Sequence, residues 1–421
     1  MEQRHFASAR IATDRQRVSP ALLTQKNRFL ALLASLAVFS LSNLGCRAKP
    51  ALGISWFSLY HLRKLELFTV AVQRLESTLD TLRSYDNPMD KKEFSSSKNA
   101  LSERRVVIID TGYASYEYER KVLEDASYVL DIFQGKRHDR QGKMAFAKNA
   151  IGLLCRWTSI DAEFLDAAPT LKAVVRYGVG YDTIDLPAAM TRGVRVANVQ
   201  GYANHSVSDH ALALMFACVR ALPLRQKVFK TQFSTPPRER LFEFHDKTLG
   251  IIGLGRIGGT LCKKTQTLFK RVLACDPYIP EARFIELGAV KTDLGTVLAE
   301  SHVISLHCNR TEETTQLIDR TAFSQMQQRP ILINTARGEV VDEEALLEAL
   351  ESDQLHSAGL DVFCDEPPLA NCDELLAHPH LIATGHYAWY SETALIELQK
   401  GAAENMLMLL QGNLPEDCLN P

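Results

Sequence analysis

From residue 105 onward the sequence predicts an α/β protein built on parallel sheets. Short apolar and β-branched runs alternate with helical stretches, as parallel strands alternate with their crossover helices. A G-x-G-x-x-G pattern at residues 253–258 follows one such run directly and opens a helical stretch. That context is typical of a turn that binds a dinucleotide.

The first series of strands begins at residues 105–111 (RVVIIDT), a β-branched apolar run typical of a buried strand. Three further strands are predicted at residues 128–133, 150–155 and 171–177. A helix is predicted to begin near Ser206 (SVSDHALALMFACVRAL). Because it is apolar on most faces, we expect it to be buried between two domains.

A second series of strands and helices starts at Lys247. Its six predicted strands are TLGIIG, RVLACD, HVISLH, PILINT, SAGLDV and LIATG. The chain of 421 residues is too long for one small core, so two domains are expected.

The composition describes an ordinary globular protein, with 46% hydrophobic and 23% charged residues and a net charge of −2. Because the 48 Lys and Arg residues are balanced in number by 50 Asp and Glu residues, no basic surface for nucleic acid is expected. The nine cysteines lack C-x-x-C spacing. His205 and His210 are five residues apart, whereas two metal ligands on one face of a helix are four residues apart. We therefore expect no metal site.

The first 104 residues differ from the rest and are treated as an N-terminal extension. Residues 1–28 carry six Lys and Arg against two acidic residues, and an apolar run at residues 29–41 precedes Cys46. The run is shorter than the ~20 residues of a membrane span. Three interpretations stay open: a cleaved secretory or lipoprotein signal, an amphipathic extension, or a stretch outside the natural product, with translation starting at Met89.

The glycine pattern has a specific chemistry. Gly253 permits the tight turn, Gly255 lets the backbone approach a pyrophosphate, and Gly258 allows the helix to pack closely on the strand. Amides at the start of that helix would bind the phosphate charge. The next strand ends at Asp276, whose carboxylate can accept ribose hydroxyls and would repel a 2′-phosphate. No arginine follows immediately, so the pattern predicts NAD rather than NADP.

Three further strands end in residues that suit a nicotinamide cofactor. Arg337 can hold a carboxylate with two hydrogen bonds and polarise an adjacent carbonyl. His386 can give or take the proton of a hydroxyl, and a carboxylate such as Glu366 can fix its tautomer. Each residue alone is more often structural or on the surface. Their common position at the carboxyl ends of strands indicates a site for hydride transfer.

Several stretches in order now identify a family: VVRYGVGYDTIDLPAA, TLGIIGLGRIG, INTARGEVVDEEAL, GLDVFCDEPP and GHYAWYSE. From residue 105 to about 411 the chain resembles the NAD-dependent D-isomer-specific 2-hydroxyacid dehydrogenases. The resemblance implies a Rossmann NAD-binding domain at residues 204–388, inserted in a flavodoxin-like substrate domain. That substrate domain would comprise residues 105–203 and 389–421.

The resemblance also assigns roles to single residues. Arg337, Glu366 and His386 would be catalytic, and Val179 and Gly180 would bind the substrate carboxylate together with Arg337. The residues implied to bind NAD are Gly253, Gly255, Arg256, Ile257, Gly258, Asp276, Cys308, Thr335, Ala336, Arg337, Asp361 and His386.

Within the family, INTARGEVVDE and HYAWYSE with Trp389 are most similar to the C-terminal-binding-protein branch. In animals that branch acts as NAD-sensing transcriptional corepressors, so a protein-binding NAD sensor is the alternative function. Two positions depart from the family pattern. Gly385 stands where a proline usually precedes the histidine, and Thr183 where an asparagine is common.

The sequence thus predicts an NAD-dependent oxidoreductase that interconverts a small 2-hydroxy acid and its 2-oxo acid. A homodimer is implied by the resemblance. We expect a cytoplasmic protein, because free NAD is available there, with export possible only if the signal-like N-terminus is functional. No direct contact with nucleic acid, and none between the core and a membrane, is expected.

Overall fold

The structure, a computed structural model, describes residues 104–233, 240–368 and 372–421. Apart from Arg104, the N-terminal extension lies outside the described residues. So do its apolar run, its amphipathic stretch and Met89.

The first sheet is fully parallel. Its strands are β1 (Arg105–Ile108), β2 (Val129–Ile132), β3 (Gly152–Cys155), β4 (Ala173–Arg176) and β5 (Arg195–Ala197), and they lie in the order β2-β1-β3-β4-β5. The connecting helices are α1 (Glu117–Asp125), α2 (Arg140–Ala147), α3 (Ala162–Ala167) and α4 (Leu186–Thr191). Aspartates cap three of them, because the side chains of Asp139, Asp161 and Asp185 accept from amides of the first turn.

Helix α13 (Glu392–Leu410), the last of the chain, returns to this first sheet. Its buried residues Leu398, Ala402 and Met406 pack against one face, and a separate cluster that includes Leu153 and Val174 covers the other face. After α13 the chain runs along the open edge at β5, where the amide of Leu419 donates to the carbonyl of Val196 at 2.8 Å. The C-terminus therefore closes an edge that would otherwise be unpaired.

The second sheet has seven parallel strands. They are β6 (Thr248–Ile252), β7 (Arg271–Cys275), β8 (Val290–Lys291), β9 (Val303–Leu306), β10 (Ile331–Asn334), β11 (Ser357–Leu360) and β12 (Leu381–Ala383), in the order β12-β11-β10-β9-β6-β7-β8. Strand order reverses between β6 and β9, which pair with Leu249 opposite Val303. In open α/β sheets ligands bind outside the carboxyl ends of strands at such a reversal.

Helices cover both faces of the seven-stranded sheet. They are α5 (Asn204–Val219), α6 (Leu222–Lys227), α7 (Arg256–Thr265), α8 (Glu281–Leu287), α9 (Leu294–Glu300), α10 (Arg320–Ser324), α11 (Glu343–Glu351) and α12 (Asp373–Ala377), with a 3-10 turn at Gly338–Val340. In the described ranges no helix is long and apolar enough to cross a membrane.

All ten predicted strands are present, and the prediction of a parallel α/β fold is confirmed. Strands β5 and β8 were missed, because at three and two residues they give too little apolar signal.

The expectation for helix α5 is only partly right. One face, with Leu214 and Met215, is buried on the seven-stranded sheet, but Phe216 on the opposite face is 42% exposed. Apolar composition therefore did not mean burial on most faces.

Candidate active site

The carboxyl ends of the strands of the second sheet share one edge, and the predicted site residues follow them directly. The glycine turn comes after β6, Asp276 after β7, Cys308 after β9, Arg337 after β10 and His386 after β12. The parallel topology alone therefore brings these residues to the same side of the molecule.

The glycine turn is shaped as a nucleotide-binding turn requires. Gly253 has a φ of 92°, and a Cβ there would collide with the backbone of Cys308, so only glycine fits where β6 and β9 meet. A Cβ on Gly258 would collide with the carbonyl oxygen of Gly253. At Gly255, by contrast, a Cβ would meet no described atom within 4 Å, and no side chain caps helix α7. Open space thus lies in front of the first amides of α7, where a pyrophosphate fits.

Asp276 stands beside this turn. Its Oδ2 accepts the Leu254 amide at 2.8 Å and its Oδ1 accepts the Tyr278 amide at 3.0 Å. These two bonds fix the carboxylate next to the glycine turn. The remaining lone pairs are available to ribose hydroxyls.

The turn after β10 is held by Asn334, whose side chain accepts from the Ala336 amide at 3.0 Å and donates to the carbonyl of Arg337 at 2.9 Å. The Thr335 hydroxyl is buried and has no hydrogen-bond partner among the described residues. A buried hydroxyl without a partner suits a surface that a ligand covers. Burial raises the pKa of the Cys308 thiol to about 11, so this side chain is a neutral wall and not a nucleophile.

Arg337 lies where the two sheets face each other. Its Nε donates to Oδ2 of Asp182 at 3.2 Å, and a Cβ on Gly180 would collide with its guanidinium. The structure therefore brings the loop that contains Val179 and Gly180, after β4, against the arginine that follows β10.

His386 and Glu366 form a pair, with Nδ1 and Oε2 2.5 Å apart. Oε1 of Glu366 also accepts the Phe363 amide at 3.3 Å. Burial opposes ionisation of Glu366, but the hydrogen bond and the charge of His386 outweigh it and bring the pKa of Glu366 below its usual value. Nε2 of His386 has no protein partner in the described ranges, and the side chain is 43% exposed, so this nitrogen is free to meet a substrate.

The other two positions of the glycine turn point elsewhere. The Arg256 guanidinium lies 3.5 Å from the carboxylate of Glu416 near the C-terminus. Ile257 packs against a small cluster with Val207 and Ala388. Their backbone amides, and not their side chains, lie at the start of α7.

Asp361 is almost fully buried below the loop at residues 384–388. Its carboxylate accepts the hydroxyl of Thr384 at 2.6 Å and the amides of Tyr387 and Ala388 at 3.2 and 2.9 Å. Its predicted contact with NAD stays a prediction. The contacts present are with the loop that carries His386.

Two arginines that were not predicted from the sequence lie near Arg337. The Arg156 guanidinium is 4.8 Å from the ring centre of Trp389 and 5.0 Å from that of Trp157. Nε of Arg176 donates to the Arg156 carbonyl at 3.2 Å. Burial lowers the pKa of Arg176, and the charges of Arg337 and Arg156 add to this.

Neither Arg156 nor Arg176 is paired with a carboxylate among the described residues. The signal that could have found them is the one that found Arg337. Arg176 is the last residue of β4, and Arg156 follows β3 directly.

Over the ranges that the structure covers, no group of three or more His, Cys, Asp and Glu side chains could hold a metal ion.

Comparison with known proteins identifies the family. Residues 212–388 match the family model described as D-isomer specific 2-hydroxyacid dehydrogenase, NAD binding domain. A glyoxylate reductase of Korarchaeum cryptofilum is 35% identical over 265 residues, which are 62% of this chain and 80% of that protein. The chain belongs to the D-isomer specific 2-hydroxyacid dehydrogenase family. The glycine turn, Asp276 and the Thr335 hydroxyl fit the NAD that binds to this domain.

A further sequence relative and a solved structure are also similar to this chain. A D-3-phosphoglycerate dehydrogenase of Archaeoglobus fulgidus is 37% identical over 255 residues, 61% of this chain and 48% of that protein. The chain thus spans about half the length of this relative. The structure of D-lactate dehydrogenase from Aquifex aeolicus, complexed with NAD and lactic acid, aligns with a TM-score of 0.68 and 27% identity. The alignment covers 75% of this chain and 99% of that one.

Proposed function

We propose that this family member is an NAD-dependent oxidoreductase that interconverts a small 2-hydroxy acid and its 2-oxo acid. The observation that carries the proposal is the arrangement of Arg337, Glu366 and His386 on one edge with the glycine turn and Asp276. Held by the glycine turn and Asp276, NAD would supply the hydride acceptor for C2 of the hydroxy acid, and NADH would supply the hydride donor for the oxo acid.

The chain's own residues would divide the remaining work. Arg337 orients the substrate carboxylate and polarises the adjacent carbonyl. We assign the amides of Val179 and Gly180 to the same carboxylate, because a Cβ on Gly180 would collide with the Arg337 guanidinium. His386 moves the proton of the substrate oxygen through Nε2, because Nδ1 is engaged by Glu366. Glu366 thereby sets the tautomer and stabilises the imidazolium.

The charges around the cleft favour a substrate with a second acidic group. Arg156 and Arg176 are not neutralised by carboxylates of the described chain. The charges of Arg337 and Arg156 both act on Arg176 and help to lower its pKa. Guanidinium groups suit carboxylate and phosphate alike. Names among the relatives, D-3-phosphoglycerate dehydrogenase and glyoxylate reductase, cover acids with and without such a group.

We assign substrate binding to residues 105–203 and 389–421 and NAD binding to residues 204–388. We also propose that the protein is a cytoplasmic homodimer.

Exposed apolar side chains support the dimer. Phe216, Leu222, Phe229 and Phe233 are 42 to 71% exposed on and after helix α5. A single sedimenting species of monomer mass at micromolar concentration contradicts the dimer, and recovery in an extracytoplasmic fraction of the native host contradicts the location.

The decisive experiment measures NADH oxidation by the purified full chain. The panel contains glyoxylate, hydroxypyruvate, pyruvate, bulkier 2-oxo acids, and 2-oxo acids that carry a second carboxylate or a phosphate. We expect turnover that His386→Ala and Arg337→Ala abolish while NADH still binds. An inactive chain that dimerises on NADH addition and binds a peptide partner supports the corepressor-like alternative.

The same panel tests the charge of the substrate. Arg156→Met and Arg176→Met are expected to raise KM for substrates with two acidic groups about tenfold more than for pyruvate. Equal effects on both substrate types contradict a role in binding a second acidic group.

A further inference from the structure

His386 lies on a loop with an unusual backbone. Its φ is 53°, in the left-handed region that is unfavourable for a residue other than glycine. The preceding residue is Gly385, and a Cβ there would meet no described atom within 4 Å. Neither a proline ring nor packing at residue 385 therefore holds the histidine in this conformation.

Asp361 holds the loop from the sheet side. Its carbonyl oxygen accepts the amide of His386 at 2.7 Å. Its carboxylate accepts the amides of Tyr387 and Ala388 and the hydroxyl of Thr384. Charge-assisted hydrogen bonds of this kind are the stronger ones in proteins.

The Thr384 hydroxyl extends this network to another element. Because its one proton is donated to Asp361 at 2.6 Å, it must accept the hydrogen bond that joins it to Nε2 of His210 at 2.9 Å. The chain of bonds thus runs from His210 through Thr384 to Asp361. It fixes the orientation of all three side chains.

Helix α5 makes two further contacts with the loop. Oγ of Ser206 donates to the Ala388 carbonyl at 2.8 Å, and the His210 ring meets the Tyr387 ring edge-on with centres 5.2 Å apart. Ser206 and His210 are four residues apart, on one face of the helix. The same helix is anchored on the sheet by Leu214 and Met215, so it is a firm support.

We propose that Ser206, His210 and Thr384 are positioning residues for His386. They hold the loop at residues 384–388 in the geometry that keeps Nδ1 on Glu366 and Nε2 free, and they provide the restraint that a proline at position 385 would otherwise supply. The proposal rests on the proposed function only in that turnover is one of its measurements.

The first test compares Thr384→Val with Thr384→Ser in the full chain. Valine keeps the shape but removes the hydroxyl, whereas serine retains it. We expect Thr384→Val to lower kcat about 10- to 100-fold with KM for NADH and for the 2-oxo acid changed less than threefold. Thr384→Ser should restore most of the rate. Equal losses for valine and serine, or no loss for valine, overturn the proposal.

His210→Phe tests the helix side, with His205→Gln as the matched control. His205 is exposed on the same helix, and its ring makes none of these contacts. His210→Phe should lower kcat by a similar factor, and His205→Gln should leave it unchanged. A loss confined to KM for NADH in the His210 variant overturns the proposal.

A double-mutant cycle with Gly385→Pro tests the relation to proline. We expect the factor by which Thr384→Val lowers kcat to shrink at least threefold when the substitution is made in a chain that already carries Gly385→Pro. If the factor is unchanged, or if Gly385→Pro alone abolishes turnover, the three residues do not provide the restraint that a proline at position 385 would supply.

Hydrogen exchange supplies a readout that does not depend on activity. The amides of His386, Tyr387 and Ala388 donate to Asp361 and should be protected in the wild-type chain. We expect Thr384→Val to speed their exchange at least tenfold without changing exchange in β6. Protection that Thr384→Val leaves intact overturns the proposal even if the chain turns over. If the wild-type chain shows no turnover but Thr384→Val still removes the protection, the positioning proposal is supported. That result counts against the proposed function only.

Discussion

Nδ1 of His386 lies 2.5 Å from Oε2 of Glu366, although the two residues follow different strands, β12 and β11. The bond leaves one ring nitrogen free. It also places a carboxylate where it stabilises the imidazolium that forms when His386 takes a proton.

Glu366→Gln should therefore lower kcat by about 100-fold, because the amide no longer compensates the charge of the imidazolium. Stopped-flow and steady-state NADH oxidation at pH 7 measure the change in kcat. Glu374→Gln, an exposed change on helix α12, is the control, and a Glu366→Gln variant with the kcat of the wild type contradicts the role.

Asp276→Asn tests cofactor choice. Asparagine can still accept the Leu254 amide, so the turn is kept while the charge that repels a 2′-phosphate is removed. We expect the affinity for NADH to fall and the affinity for NADPH to rise. The ratio of the two affinities should decrease at least tenfold. Fluorescence titration with both cofactors measures the change, with exposed Glu281→Gln as the control. A preference that Asp276→Asn does not alter contradicts the assignment.

A buried ion pair supports the cleft from the first sheet. Nζ of Lys143 lies 2.7 Å from Oδ1 of Asp110, and both side chains are at most 3% exposed. The other oxygen of Asp110 accepts the amides of Arg156, Trp157 and Thr158 and so shapes the loop after β3.

Lys143→Met should destabilise the fold by about 3–5 kcal/mol, because it leaves the Asp110 charge buried without its partner. The double variant Lys143→Met/Asp110→Asn should recover part of that loss, since the unpaired charge is gone. Urea denaturation at pH 7 measures the unfolding free energy, with exposed Lys121→Met as control. A Lys143→Met chain as stable as the control shows that the pair contributes nothing.

The common edge of Arg337, Glu366 and His386 could be predicted from the sequence, because carboxyl ends of parallel strands share an edge and each residue lies in the loop after a recognisable strand. Their catalytic roles are implied by the family resemblance and stay predictions. The contact of His210 with Thr384 could not, since it joins residues 174 positions apart through the packing of α5 on the sheet. Asp361 was predicted to bind NAD. Its burial beneath the loop depends on side-chain geometry that no spacing rule contains.

Glu119 gives a prediction for the dependence of stability on pH. Its carboxylate is fully buried, where it accepts the Tyr177 hydroxyl at 2.8 Å and Nε2 of Gln399 on helix α13 at 3.1 Å. Burial raises the pKa of Glu119, and the two hydrogen bonds only partly oppose this. The folded chain therefore holds the proton more tightly than the unfolded chain. The contribution of Glu119 to stability is present at low pH and is lost as the pH rises through the folded-state pKa.

Glu119→Gln removes this titration while keeping an oxygen that can accept from Tyr177. We expect the variant to be more stable than the wild type at pH 7–8 and to lose that advantage below about pH 4, near the ordinary pKa of a glutamate. Thermal and urea unfolding from pH 3.5 to 8 measure the difference, with exposed Glu117→Gln on the same helix as control. A variant that is less stable than the wild type at pH 8 would show that the ionised carboxylate is favoured in the fold, against the direction derived from its burial.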